Sequence, residues 1–511
     1  MQNQNSRSRH TVHNAFLGFF NKMVNILLPF VIRTVLIYVM GIQYAGLNGL
    51  FTSVLQVLNL AELGIGSAVV YCMYKPMAEK DTETICALLR YMRRIYHCIG
   101  VVLGILGLAM IPGLPWFIKG TVPDGLSLGG LYIIYLLNTI LGYFFFAYKA
   151  TLLNASQEIG VVQLINGVSM LAQGILQVVL LLVFRNYYLF LIIMPVTTLM
   201  NNFWIAYITK KKYPQYVCRG NLQDPVRKAI YKQVKGLVIS RLAVTTRNAF
   251  DSIFISSFIG LTAVGIYGNY YYISSAASNL LLVLTISMAA SVGNSLVTES
   301  VEKNYNDMRK FNFLFNWIVG YFTCLLLFLY QPFMKVWVGE QFLFPSHMVI
   351  LFCTYFYFQN TGGIRAVYHD AAGLWWEARY RAIAESVMNI VLNVLLTSTL
   401  GVFGTILGTL ISLILVNYIY GTQIVFKYYF VGISPRQYYL DNGSYGLATI
   451  GISLILGLLF RVMPAFSPIV TVLIRGIIIT VLFNILYLLL FSRTKLFAQG
   501  KQMVLGLLHR R

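Results

Sequence analysis

The chain has 511 residues, of which 58% are hydrophobic, 15% aromatic and only 11% charged. Soluble domains carry about 25% charged residues, so an ordinary water-soluble enzyme is excluded. Thirty-eight lysines and arginines against 16 acids leave a formal charge of +22. In so apolar a chain this excess orients loops against a bilayer and its anionic headgroups, and it does not indicate a nucleic-acid site.

The polar start, residues 1–14, runs straight into an apolar stretch with no small-residue cleavage site, so no cleaved signal peptide is expected. A bilayer core takes about 20 apolar residues per helix. Reading apolar runs against polar breaks predicts fourteen spans: 14–40, 46–72, 95–118, 128–153, 160–184, 187–209, 236–259, 262–297, 311–337, 343–364, 380–400, 402–426, 445–464 and 468–491. Pro112, Pro115 and Trp116 suit an interfacial turn. The alternation of barrel strands is absent, so the chain reads as an all-α integral membrane protein. The six cysteines, Cys72, Cys86, Cys98, Cys218, Cys324 and Cys353, show no C-x-x-C spacing and read as apolar fillers.

With the N-terminus inside, 29 of the 38 basic residues fall on the cytoplasmic side. Four (Lys119, Arg185, Lys335, Arg461) fall outside, and five (Lys22, Arg33, Arg241, Arg247, Arg475) lie within spans. Such a bias predicts both termini in the cytoplasm.

The segment holding Gly41, Gly46 and Gly49 matches the one holding Gly260, Gly265 and Gly268 at an offset of 219 residues. At the same offset Ala147 meets Ala366, Asn154 meets Gly373 and Glu158 meets Glu377. Six crossings return a chain to its starting side, so this is a parallel repeat of the kind transporters use. The predicted organisation is a six-helix lobe at 1–209, a basic linker at 210–235, a second six-helix lobe at 236–430, and two further helices with a basic tail at 431–511. The two lobes are expected to be pseudo-symmetric.

A charge at mid-bilayer costs at least about 2.5–3.5 kcal/mol on insertion scales, so each one needs a reason. On the first span Lys22, Asn25 and Arg33 share a stripe with the kink-former Pro29. The second span lines up Asn48, Thr52, Gln56, Asn59, Glu62 and Gly66, and the fifth lines up Gln163, Asn166, Gln173 and Gln177. The seventh carries Arg241, Thr245, Arg247, Asn248 and Asp251, with Arg247 and Asp251 one turn apart. The eleventh carries Glu385, Asn389 and Asn393. Single Asn and Gln residues commonly serve as interhelical glue. A cationic cavity in a low-dielectric body suits an anion, and guanidinium groups suit phosphate or diphosphate. Arg475, near a span end, is expected to snorkel to the interface. The expected cargo-binding set is therefore Lys22, Asn25, Arg33, Asn59, Gln163, Asn166, Arg241, Arg247 and Asn248.

The run Leu60-Ala61-Glu62-Leu63-Gly64-Ile65-Gly66-Ser67-Ala68, which closes the second span, resembles a signature of the polysaccharide transporters. These are the O-antigen and exopolysaccharide flippases of the multidrug/oligosaccharidyl-lipid/polysaccharide exporter superfamily. The preceding Gly46-Leu47-Asn48-Gly49-Leu50-Phe51 and the plan of six, six and two spans fit the same family. The resemblance implies an undecaprenyl-diphosphate-linked oligosaccharide moved across the bacterial cytoplasmic membrane by alternating access. It further implies that the lipid tail lies in a membrane groove beside the last two helices. Membrane lipids, and a polymerase and glycosyltransferases of the same polysaccharide pathway, would be its partners, with the chain itself a monomer. No resident cofactor is implied, only Na+ or H+ as coupling ion. Lipid II flippases have a sodium site from an acid on span 7 and an Asn/acid pair on span 11. Asp251, Glu385 and Asn389 occupy similar positions with the order on span 11 reversed, which leaves proton coupling through Glu62 or Asp251 equally open.

Two other readings are weaker. A cation-coupled multidrug antiporter of the same superfamily needs acids where this chain has Lys22 and Arg33. A membrane polysaccharide polymerase needs a large outer loop or a His/Asp motif at an interface. Every outer loop here is short, and His369-Asp370, at a cytoplasmic span end, reads as structural. No Walker-type G-x-x-x-x-G-K-[ST] occurs, so the chain alone is no ATP-driven pump. The expectation is a non-enzymatic, ion-coupled flippase.

Overall fold

The computed structural model describes residues 2–59, 65–222 and 224–508. The side chains of 2–16, 19, 225, 229, 232, 233, 235–244, 246, 248 and 503–508 fall outside that description. Long apolar runs leave the backbone only its own helical hydrogen bonds in hydrocarbon, and the described residues form helices joined by short turns, with no strand.

In the first half the helices are α1 (Gln2–Met40), α2 (Ile42–Leu58), α3 (Ile65–Glu79), α4 (Thr82–Met110), α5 (Leu128–Phe144), α6 (Tyr148–Ala155), α7 (Ile159–Phe184), α8 (Tyr187–Lys212) and α9 (Asp224–Phe258). Then come α10 (Leu261–Thr298), α11 (Val301–Trp337), α12 (Ser346–Thr361), α13 (Gly363–Ala371), α14 (Arg379–Leu400), α15 (Val402–Ser412) and α16 (Gly421–Tyr428). A π-helical stretch, Leu413–Tyr420, joins α15 to α16. The chain closes with α17 (Arg436–Val462), α18 (Pro468–Phe491) and α19 (Lys495–Leu508).

Among the described residues ten helices are long and apolar enough to cross a bilayer, and α5 with α6, bent by 50°, make an eleventh span. The bend sits at Phe145 and Phe146, where Phe146 takes a positive φ of 60°. The other three predicted spans correspond to α2 with α3, to α9, and to α12 with α13. The chain is thus an all-α, multi-pass membrane protein of roughly fourteen spans. The predicted interfacial turn is a 3-10 helix, Ile111–Phe117, and Trp116 is 84% exposed on it. Arg90, Arg93 and Arg94, and likewise Arg309 and Lys310, counted on the cytoplasmic side between spans, are helical. They lie in the first few turns of α4 and α11, which start some ten residues before the apolar runs.

The 219-residue offset reappears in the element starts. Gly41, with φ 108°, precedes α2, and Gly260, with φ 125°, precedes α10. Only glycine adopts such angles readily. Asp81 caps α4 by accepting the Thr84 N–H at 3.0 Å. Its counterpart Ser300 caps α11 by accepting the Lys303 N–H at 3.2 Å. The α5–α6 and α12–α13 breaks also correspond, and α10 is the equivalent of α2 and α3.

By packing, the chain divides into two compact units, Met1–Gly265 and Ile266–Arg511. In the first, glycines set the helix spacing. A Cβ on Gly174 of α7 would lie 2.6 Å from Leu28 of α1, and one on Gly46 of α2 would enter the Leu261 carbonyl. Its repeat counterpart Gly265 faces Ile42 in return. In the second unit α17 and α18 pack on α11 around Phe313, Tyr445, Phe483 and Tyr487. Arg309 holds Asp441 through two bonds, Nε to Oδ2 at 2.7 Å and Nη2 to Oδ1 at 3.2 Å. Trp317 Nε1 donates to Asn484 Oδ1 at 2.9 Å. The outer face of α18 presents Ile469, Leu473, Ile477, Val481 and Leu489, all more than half exposed, as expected of a lipid-facing helix.

Candidate functional site

In the first unit, α1 carries three of the candidate side chains. Asn25 donates to the Asn21 carbonyl at 2.7 Å and to Asn21 Oδ1 at 3.0 Å. Asn21 in turn donates to Gln163 Oε1 on α7. Arg33 is half-buried and donates from Nη2 to the Gly265 carbonyl at 2.9 Å. Lys22, about three turns earlier on the same helix, is also half-buried. An arginine and a lysine are thus kept within the membrane-spanning part of one helix, the arginine in part by a backbone carbonyl.

Asn59 of the expected set, and other polar residues of the same stripes, bind neighbouring helices. Asn59 accepts from Tyr143 OH at 3.2 Å, and Asn48 from Tyr135 OH at 2.7 Å. Gln173 accepts from Thr197 at 2.9 Å, and Gln177 donates to the Phe190 carbonyl at 3.0 Å. Asn166 is half-buried. These polar groups act as interhelical bonds in a setting where no water supplies a partner. On α9, Arg247 and Asp251 are buried one turn apart. Glu62, Arg241 and Asn248 lie outside the described residues or side chains.

The second unit holds a denser polar cluster, between α13, α14, α15 and the π-helical stretch. Glu385 is 1% exposed, and its Oε2 accepts from Asn417 Nδ2 at 3.1 Å and faces Arg381 Nη1 at 3.4 Å. Arg365 donates to the Asn417 carbonyl at 2.6 Å, the Tyr418 carbonyl at 3.3 Å and Asn417 Oδ1 at 3.1 Å. A π-helix leaves its carbonyls out of α-helical register, and Arg365 takes up two of them. A Cβ on Gly421 would meet the Arg365 guanidinium, so glycine makes room for this group. One turn past Glu385, Asn389 donates to Thr409 Oγ1 at 3.0 Å, and Thr409 donates to Asn393 Oδ1 at 3.4 Å. Glu385 and Asn389 therefore sit in adjoining but separate circuits.

The sequence reading counts Arg365 and Arg381 among the cytoplasmic-side cations and not among the site residues; in the structure Arg365 is buried on α13 and Arg381 largely buried on α14. The usable signals were the spacing of four between Arg381 and Glu385 and between Thr361, Arg365 and His369. His369 and Asp370 form their own bond at 2.8 Å. Among the described residues no three His, Cys, Asp or Glu side chains are grouped to hold a metal ion.

No family model matches the sequence, and no curated protein matches it either. Solved structures do. The lipid II flippase MurJ, in an inward closed conformation, superposes with a TM-score of 0.69 at 15% identity, covering 94% of this chain and 100% of its own. An inward-facing multidrug resistance MATE family transporter of the MOP superfamily gives 0.62 at 15% identity, covering 81% and 98%. A point mutant of the Vibrio cholerae MATE transporter VcmN gives 0.54 at 15% identity, covering 83% and 97%. Taken with the helix order and the repeated element starts, these likenesses show that the chain has the fold shared by a lipid II flippase and the MATE transporters of the MOP superfamily.

Proposed function

We propose that the protein is a flippase for a polyprenyl-diphosphate-linked oligosaccharide of a bacterial surface-polysaccharide pathway, working by alternating access in the cytoplasmic membrane with both termini inside. The observation that carries the reading is the likeness to a lipid II flippase over 94% of the chain at a TM-score of 0.69, where the MATE transporters cover 81–87%. Lys22 and Arg33 on α1 add to it: a cation in a membrane helix has the charge and donor geometry for a diphosphate. The sugar would then meet the polar faces of α2 and α7, and the polyprenyl tail would stay in hydrocarbon beside α17 and α18.

The coupling ion in this reading is a proton, taken up at Glu385. The Arg381 guanidinium stands beside the carboxylate where a metal cation would otherwise approach, and the neighbouring Asn389, Asn393 and Thr409 are engaged with one another. One charge moved through 100 mV supplies about 2.3 kcal/mol, enough to bias export by more than tenfold.

The test is leaflet translocation of labelled polyprenyl-diphosphate sugar by the purified protein in liposomes, with pH and sodium gradients imposed in turn. Translocation is expected with the pH gradient, and Arg33→Ala is expected to lose it while inserting normally. Wild-type transport by both Arg33→Ala and Arg241→Ala would refute the cation-capture mechanism. A multidrug antiporter would instead expel cationic dyes in the same liposomes and leave the lipid where it was.

A further inference from the structure

We propose that a furrow on the second unit, between α11, α12 and α17, holds one acyl chain of an anionic membrane phospholipid, with the lipid phosphate on Arg461. The furrow encloses about 770 Å3. Its floor is one face of α17, where Gly446, Thr449, Ser453, Gly457 and Arg461 recur every three or four residues. From Gly446 to Arg461 the helix rises about 22 Å, most of the roughly 30 Å hydrocarbon layer. The rims, Ile350, Ile450, Leu454 and Leu458, are all more than half exposed, so the furrow opens sideways onto hydrocarbon.

The chemistry of the lining selects the occupant. Four of the hydroxyl groups along it are turned back on their own helices. Thr323 donates to the Val319 carbonyl at 2.7 Å, Thr354 to Ile350 at 2.9 Å, Thr449 to Tyr445 at 2.9 Å and Ser453 to Thr449 at 2.8 Å. Beyond these the lining offers only Gln331, Ser346, Tyr357 and Arg461 as polar side chains, so a sugar would find few partners along this floor. A methylene chain fills the furrow without desolvating these satisfied groups.

The mouth supplies the charge. Arg461 is exposed at the end of α17 and makes no ion pair or hydrogen bond among the described residues. Arg475 of α18 lies outside the furrow lining, its guanidinium 5.0 Å from the centre of the ring of Phe460. A cation at the end of an apolar slot complements an anionic headgroup. A furrow of this length suits a single acyl chain, whereas a polyprenyl tail would run on past Gly446. The site lies within one unit and does not depend on what the protein carries.

The test uses the full-length purified protein, delipidated in detergent, with native mass spectrometry after addition of phosphatidylglycerol, of phosphatidylethanolamine with the same chains, or of polyprenyl diphosphate. One phosphatidylglycerol per chain is expected, retained in preference to phosphatidylethanolamine. Arg461→Gln is expected to weaken that retention about fivefold, the share of one arginine near a lipid phosphate. A Cβ on Gly457 has its nearest neighbour, Phe328, at 3.8 Å, so Gly457→Trp is expected to fill the furrow and abolish retention. Should that variant fail to fold, exposed Arg461→Gln still decides the matter. Equal retention of the two phospholipids by the wild type overturns the proposal, as does wild-type retention by Arg461→Gln. Preferential capture of polyprenyl diphosphate at the same furrow, lost in Gly457→Trp, also overturns it. None of these outcomes bears on the translocation assay.

Discussion

Arg33 donates to a backbone carbonyl at 2.9 Å, a contact that a lysine ammonium can also make, though from one nitrogen and without a fork. Replacement by lysine is therefore expected to keep part of the translocation rate and alanine none, measured in liposomes at matched protein insertion. Arg365 is held differently. Its guanidinium takes three acceptors on the π-helical stretch at once, which no lysine can copy. Because hydrogen bonds to a charged group contribute about 1.5–3 kcal/mol, Arg365→Met is expected to lower stability by about 2 kcal/mol, read from thermal unfolding in detergent. The α1 cations were legible in the sequence because a charge inside an apolar run stands out. Arg365 was not, because the apolar run stops near Gly362, and the short helix α13 that follows the break has a polar face that hydropathy reads as a loop.

At the scale of the element, close approach of backbones decides the packing. A Cβ at Gly46 meets the Leu261 backbone, whereas one at Gly49 meets only the Val264 side chain at 3.4 Å. Gly46→Ala is expected to destabilise by about 1–3 kcal/mol through overpacking, and Gly49→Ala to be nearly neutral; paired unfolding curves check both. The helix caps give a pH contrast. The Asp81 carboxylate, outside the apolar span, is held below the usual carboxylate range by its hydrogen bonds to Thr84. A depressed folded-state pKa stabilises above the unfolded value and loses that contribution as pH falls through the folded one. Amide protection at Thr84 should therefore hold at about pH 5 and fall below about pH 4. The equivalent Ser300 cap on α11 does not titrate, so protection at Lys303 should not follow the same curve.

Across the whole molecule, the reading of an ion-driven flippase rests on the second unit converting a gradient into motion. If Glu385 takes up the proton, Glu385→Gln should abolish gradient-driven translocation while leaving binding of the labelled lipid unchanged, and a sodium gradient alone should drive nothing. Sodium-driven transport in the wild type would move the coupling site to other oxygens, with Asn389, Asn393 and Thr409 the first to examine. The extra pair α17 and α18 is fixed to α11 by Arg309–Asp441 and by Trp317–Asn484, so in any rearrangement these three helices are expected to travel as one body. Cross-linking between α11 and α17 should then leave transport intact.

The amino-acid order determined the membrane class, roughly fourteen helices, and a duplication visible in three glycines. These are properties of short windows: hydropathy over about 20 residues, and a backbone angle at one glycine. Tertiary structure decided which polar side chain found which partner. Asn59 binds a tyrosine 84 residues away, and Glu385 binds Asn417 rather than Asn389. In hydrocarbon a polar group takes whatever donor or acceptor packing brings within about 3 Å, and where that neighbour lies on another helix, as for Asn59 and Glu385, it is beyond the reach of any local pattern.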